Sequence, residues 1–136
     1  MQDAIGLENG WPADGPPRVL VVDDDPSVRL VCTTTLRREG YDAIEAANAQ
    51  EGYERAIAEK PDLALLDVQM PELDGFEVCE RIKADPETDG TRVIIITGAN
   101  TSADLQQRRA VGADGYLTKP FSPVKLLELL DRLLSH

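Results

Sequence analysis

Asp23 and Asp24, Asp67, Thr97 and Lys119 each stand at or just beyond the end of a short apolar run in this 136-residue chain. If those runs are parallel strands of one open sheet, their carboxyl ends share the edge where ligands bind and chemistry occurs. Three carboxylates within ~4–6 Å repel one another, which destabilises the empty cluster and raises at least one pKa. A hard divalent cation removes that cost, and carboxylate oxygens with water suit Mg²⁺, with Mn²⁺ as its substitute. A carboxylate that faces such a cation and a lysine can attack phosphorus, because phosphoryl transfer needs mainly positioning and charge neutralisation. Thr97 can donate a hydrogen bond to a phosphoryl oxygen, Gly98 beside it leaves room, and Lys119 supplies a second positive charge. Taken singly, each residue has a plainer use: aspartates cap helices, threonine is ordinary in a strand, and lysine points at solvent. Four successive strand ends with such groups are not explained that way. No Gly-rich phosphate loop is present, so nucleotide-kinase chemistry is not indicated.

The elements that must position these groups follow from periodicity and punctuation. Arg18 to Val22 is a continuous apolar strand, and Asp25 then caps a helix with Pro26 at its first position. Val28, Val31, Cys32 and Leu36 recur at helical spacing, which predicts one core-facing stripe up to Gly40. Asp42 to Ala46 is a second strand, and Asn48 with Glu51 forms a capping box for a helix that runs to Pro61. Leu63 to Leu66, ended by Asp67, reads as a strand buried on both faces. The chain then turns over Pro71 and enters a helix at Asp74-Gly75, with Asp74 as its cap. Val93 to Thr97 is the most β-branched run and therefore a central strand. Thr101 to Val111 is a short polar helix, Tyr116-Leu117-Thr118 a fifth strand, and Ser122-Pro123 opens the last helix. Its Leu126, Leu127, Leu129, Leu130, Leu133 and Leu134 form a stripe wider than sheet packing needs, which serves either a generous core or a partner. Five βα units predict an α/β fold: a doubly wound parallel sheet of order 2-1-3-4-5, flavodoxin-like, in three α/β/α layers.

Composition narrows the class. Residues 1–17, rich in Gly and Pro with three acids and no base, read as a flexible leader before a single domain over 18–136. Fourteen basic against 25 acidic residues give a net charge of −11, which argues against direct nucleic-acid binding. No apolar run approaches the ~18 residues of a membrane span. Residues 1–18 lack the basic and apolar regions of a signal peptide, so the expected location is cytoplasmic. Cys32 and Cys79 fall on predicted core faces with no CxxC or histidine partner, and read as buried free thiols. The lone histidine, His136, ends the chain and is assigned no catalytic role.

Val21-Val22-Asp23-Asp24-Asp25, Leu66-Asp67-Val68-Gln69-Met70-Pro71 with Asp74-Gly75, Ile96-Thr97-Gly98 and Gly115-Tyr116-Leu117-Thr118-Lys119-Pro120-Phe121 together resemble the receiver domain of bacterial two-component response regulators, from Arg18 to about Leu134. The resemblance implies that Asp67 accepts a phosphoryl group from a phosphohistidine on a sensor histidine kinase or phosphotransfer protein. It implies that Asp24 and Asp67 ligate Mg²⁺ directly with the backbone carbonyl of Gln69, while Asp23 acts largely through water. Asp25 matches a variable position and is left as a cap, and Lys119-Pro120 matches a bond that is cis in the family. Thr97 and Tyr116 correspond to the pair that moves on phosphorylation. That motion reshapes the surface of the fourth helix, fifth strand and fifth helix (α4-β5-α5 of the family), for a protein partner or a homodimer. Gln69 and Ala99 flank the path of a hydrolytic water and should tune the phosphoryl lifetime. Arg108 and Arg109 could pair with acids on a partner. Such a protein is a phosphoacceptor that loses its phosphate by autodephosphorylation, not a turnover enzyme. Two alternatives remain at this stage. One is a haloacid-dehalogenase-like phosphatase whose nucleophile is in Asp23-Asp24-Asp25, although a cap domain and a second acidic pair are missing. The other is a degenerate receiver that binds partners without phosphorylation, and in the phosphorylated reading the receiver either stands alone or is cut from a longer regulator with an effector domain.

Overall fold

The structure, a computed structural model, describes residues 15–68, 75–98 and 112–134. Five strands, β1 (Arg18–Val22), β2 (Asp42–Ala46), β3 (Leu63–Asp67), β4 (Arg92–Thr97) and β5 (Gly115–Thr118), form one parallel sheet in the order 2-1-3-4-5. Four helices are described: α1 (Pro26–Arg38), α2 (Ala49–Glu59), α3 (Gly75–Ala84) and α4 (Pro123–Leu134). The predicted leader up to residue 14, Asp74, the helix over 101–111 with Arg108 and Arg109, and His136 lie outside the described residues.

The apolar runs are continuous because both faces of the sheet are covered. On one face Val19, Val21, Leu63, Leu65, Ile94, Ile96 and Leu117 pack against α1 and α4. On the other, Leu20, Val22, Ala64, Leu66, Val93 and Ile95 pack against α2 and α3. Alternation of successive side chains thus sorts each strand between two cores. Capping chemistry sets the helix starts. Asp25 accepts from the Ser27 N–H at 2.9 Å, with Pro26 inside α1. Asn48 accepts from the Glu51 N–H at 2.8 Å, and Glu51 returns to the Ala47 N–H at 3.0 Å, one residue before its expected partner.

Two apolar stripes differ in width from their sequence reading. On α1 the buried residues are Cys32, Thr33, Thr35 and Leu36, whereas Val28 is half-buried and Val31 is 51% exposed. Val28 packs at the margin of the core, Val31 turns out of it, and Thr33 and Thr35 are buried in addition to Cys32 and Leu36. On α4 Leu126, Leu129 and Leu130 are buried and half-buried Leu133 and Leu134 pack against them, so the stripe apart from half-buried Leu127 belongs to the core. Cys32 and Cys79 are buried free thiols, and burial pushes them up to about 11 and about 12.

The amino ends of the strands are pinned by side chains. Asp62 accepts from the Arg18 N–H and Asp114 from the Val93 N–H, each at 2.8 Å. Lys83 ties α3 to Asp114 at 2.8 Å, and Thr91 donates its hydroxyl to the Pro61 carbonyl at 2.8 Å. At the opposite edge, α3 begins hard against Asp67: a Cβ on Gly75 would lie 2.4 Å from the Asp67 carbonyl oxygen. Only a residue without a side chain lets the helix start there. Gly75→Ala should cost about 1–3 kcal/mol as an overpacking change. A thermal melt would show a lower transition for that variant.

Candidate functional site

Register gathers the predicted residues. Val22 pairs with Leu66, Asp67 with Ile96, and Thr97 with Thr118. Asp23 and Asp67 are therefore level with each other, with Thr97 one residue and Lys119 two residues further toward the carboxyl edge of the sheet. The period of two adds direction: Asp23, Asp67 and Lys119 continue the phase of Val21, Leu65 and Leu117, on the side of α1 and α4. Thr97 continues the opposite phase, that of Val93 and Ile95.

The side chains meet accordingly. Lys119 Nζ lies 3.2 Å from Asp23 Oδ2 and 3.5 Å from Asp67 Oδ2. Asp23 is fully buried and Asp67 nearly so, while the Lys119 side chain is 27% exposed at the mouth. Asp24 is exposed beside them, and the three aspartates each offer an oxygen within 4.8 Å of the others. Thr97 is buried, and its carbonyl accepts from the Lys119 N–H at 2.7 Å. The Lys119-Pro120 bond is cis. Tyr116 is 37% exposed, its hydroxyl directed at the Ala113 carbonyl over a long 3.4 Å. Gln69 and Ala99 lie outside the described residues.

One lysine faces two buried carboxylates, and a third acid stands at the rim. Burial pushes the Asp23 carboxyl above its ordinary value and the charge of Asp67 adds to this, against the Asp25 N–H and Lys119. Burial works against the Lys119 charge, yet Asp67 and Asp23 outweigh it and raise the ammonium above its usual value. Asp23 Oδ1 accepts from the Asp25 N–H at 2.9 Å, whereas buried Oδ2 makes no hydrogen bond, its lysine contact being an ion pair of poor hydrogen-bond geometry. An enclosed oxygen of that kind, in an all-oxygen donor set with excess negative charge, fits a hard cation. Sequence reasoning missed Arg29, whose Nη1 donates to the Asp23 carbonyl at 2.8 Å. The signal available was a cation near the start of a helix, where the macrodipole does not favour it. Beside Lys119, an apolar groove of about 500 Å³ is lined by Ser27, Val28, Val31, Pro120 and Phe121.

The family model of the response regulator receiver domain matches residues 19–131. The chain belongs to the response regulator receiver family. This receiver domain is 37% identical over 118 residues to the DNA-binding dual master transcriptional regulator RpaA of Synechocystis, covering 87% of this chain and 49% of that protein. It is 36% identical to protein PilH of Pseudomonas aeruginosa, covering 87% of this chain and 98% of PilH. Among solved structures, chemotaxis protein CheY4 of Vibrio cholerae superposes with a TM-score of 0.84 at 34% identity, over 88% of this chain and all of that one. The receiver domain of sensor histidine kinase PA1611 from P. aeruginosa, solved with a magnesium ion in its active-site cleft, gives a TM-score of 0.80 at 27% identity, over 88% and 98% of the two chains. The chain spans about half the length of RpaA and of the transcriptional regulators PhoP and PhoB that it also matches. DNA binding is named for RpaA, so the acidic charge of this domain does not decide the matter for a longer protein. No helix among the described residues is long and apolar enough to cross a membrane.

The electrostatics give a signed pH dependence. An acid whose folded pKa is raised binds more protons when folded, so stability falls as pH rises from the ordinary carboxylate value through the Asp23 folded value. The raised Lys119 acts at the other end, with stability present below its ordinary value and lost as pH climbs through its folded one. At neutral pH without divalent ions, Asp23→Asn should melt higher than wild type, because the variant does not bury that charge. Calorimetry should show that gain shrinking as pH is lowered and Asp23 of the wild type protonates.

Proposed function

We propose that this receiver domain is a phosphorylation-dependent signalling switch in which Asp67 accepts a phosphoryl group from a phosphohistidine of a sensor histidine kinase or phosphotransfer protein. The observation that carries the reading is Lys119 held between two buried carboxylates at the sheet edge, with exposed Asp24 beside them. An Asp67 oxygen attacks phosphorus, the P–N bond breaks, and its electron pair returns to the imidazole, which takes a proton from water. Lys119 stays in place to pair with the phosphoryl oxygens, and Thr97 donates its hydroxyl to one of them. A bound Mg²⁺ or Mn²⁺ would supply charge neutralisation here, and Asp24, Asp67 and the Gln69 carbonyl would hold it, with Asp23 acting through water. The magnesium in the PA1611 receiver supports that ion. Hydrolysis of the acyl phosphate, with its rate tuned at Gln69 and Ala99, regenerates Asp67, so the domain acts as a reversible acceptor rather than a turnover enzyme. The groove beside Lys119 gives the donor's helix an apolar rest next to the acceptor.

Phosphorylation adds charge to Asp67. Thr97 follows the new oxygens, and Tyr116 leaves its exposed position for the space vacated. This reshapes the β5 and α4 surface that a partner or a second copy reads. The functional unit is 18–136, with 1–17 as a leader, working in the cytoplasm, alone or within a longer regulator. Transcriptional output through an attached DNA-binding domain is one outcome open to such a regulator.

Treatment with acetyl phosphate and Mg²⁺ should add one phosphoryl mass to the wild type and none to Asp67→Asn in intact-mass spectra. Modification of both proteins alike would reject Asp67 as the acceptor. Thr97→Ala should still take up phosphate yet lose the phosphorylation-dependent change in self-association or partner binding measured by sedimentation. An undiminished change would reject the Thr97–Tyr116 coupling.

A further inference from the structure

Arg29 is the fourth residue of α1, near the positive end of the helix dipole, where a cation gains nothing from the helix itself. Its side chain is only 19% exposed and is held by two other groups. Nη1 donates to the Asp23 carbonyl at 2.8 Å, and Nε meets Oε1 of Glu45 on β2 at 3.4 Å. The Asp23 N–H donates in turn to the Ala46 carbonyl of β2 at 3.2 Å. Asp23 is thus gripped on both sides: its N–H by the edge strand, its carbonyl by Arg29. That carbonyl belongs to the peptide unit joining Asp23 to Asp24, whose orientation sets where the two carboxylates point relative to each other.

We propose that Arg29, steadied by Glu45, is a positioning residue that locks the Asp23–Asp24 peptide so that both carboxylates converge on one cation. The inference rests on the reading of the acidic cluster as a Mg²⁺ site. The planar guanidinium serves two acceptors in fixed directions, whereas lysine at this position offers a single ammonium. The sign of the effect separates positioning from charge. If Arg29 only offset the acids electrostatically, its removal would tighten Mg²⁺ binding. If it aims them, its removal weakens binding.

Isothermal titration of the full chain with Mg²⁺ reads this directly, with unliganded melting curves recorded beside it. Arg29→Ala should bind Mg²⁺ about tenfold more weakly, the low end of what outer-layer partners of metal ligands contribute, and Arg29→Lys should recover part of the loss. A merely structural role would lower the unliganded melting temperature and leave the affinity alone. Unchanged or tighter binding by folded Arg29→Ala overturns the proposal. If Arg29→Ala does not fold, Glu45→Ala decides, with about threefold weakening in support and no change against. A wild type that does not bind Mg²⁺ removes the cation site and this role with it, whereas normal wild-type binding with an unaltered Arg29→Ala removes the role alone.

Discussion

A single ammonium group shared by two enclosed carboxylates is the constraint on which the site depends. Lys119 cannot neutralise both Asp23 and Asp67, and burial denies them water. Breaking such a pair leaves a buried charge uncompensated, so the chain keeps it only where the surrounding fold is strong enough. Here that strength comes from the sheet, in which β3 is buried from end to end and β1 and β4 are buried after their first residue. The site is a local electrostatic debt carried by two apolar cores.

The same sheet provides precision. Parallel pairing in register brings the ends of β1, β3, β4 and β5 to within two residues of one another along the same edge, and alternation aims three of the four groups to one side. Thr97, on the other phase, is tied to Lys119 through the backbone. A one-residue slip of any strand would send its functional side chain to the wrong core. Register is therefore as much a part of the site as the side chains are.

Much of this was legible before any coordinates. The bounds of β1, β2 and β3 coincide with their apolar runs, and the Asp25 and Asn48 caps are where their side-chain chemistry puts them. The meeting of Asp23, Asp24, Asp67 and Lys119 follows from strand ends and strand order alone. What pattern could not supply was anything set by a contact between distant elements. Val31 shares the helical phase of Val28, Cys32 and Leu36, yet it is exposed and faces the groove while those three pack on the sheet. Thr33 and Thr35 look polar and are buried instead. Arg29 resembles any surface arginine until Glu45, sixteen residues on, is brought beside it.

The two ends of the sheet are built in opposite ways. At the amino end Asp62, Asp114, Lys83 and Thr91 each find close partners, so strands and helix are clamped there. At the carboxyl end charge is left over. A frame tied down along one edge yields more readily at the other, so on the proposed reading a phosphoryl group on Asp67 would be felt first at the carboxyl edge of the sheet and last at its clamped base.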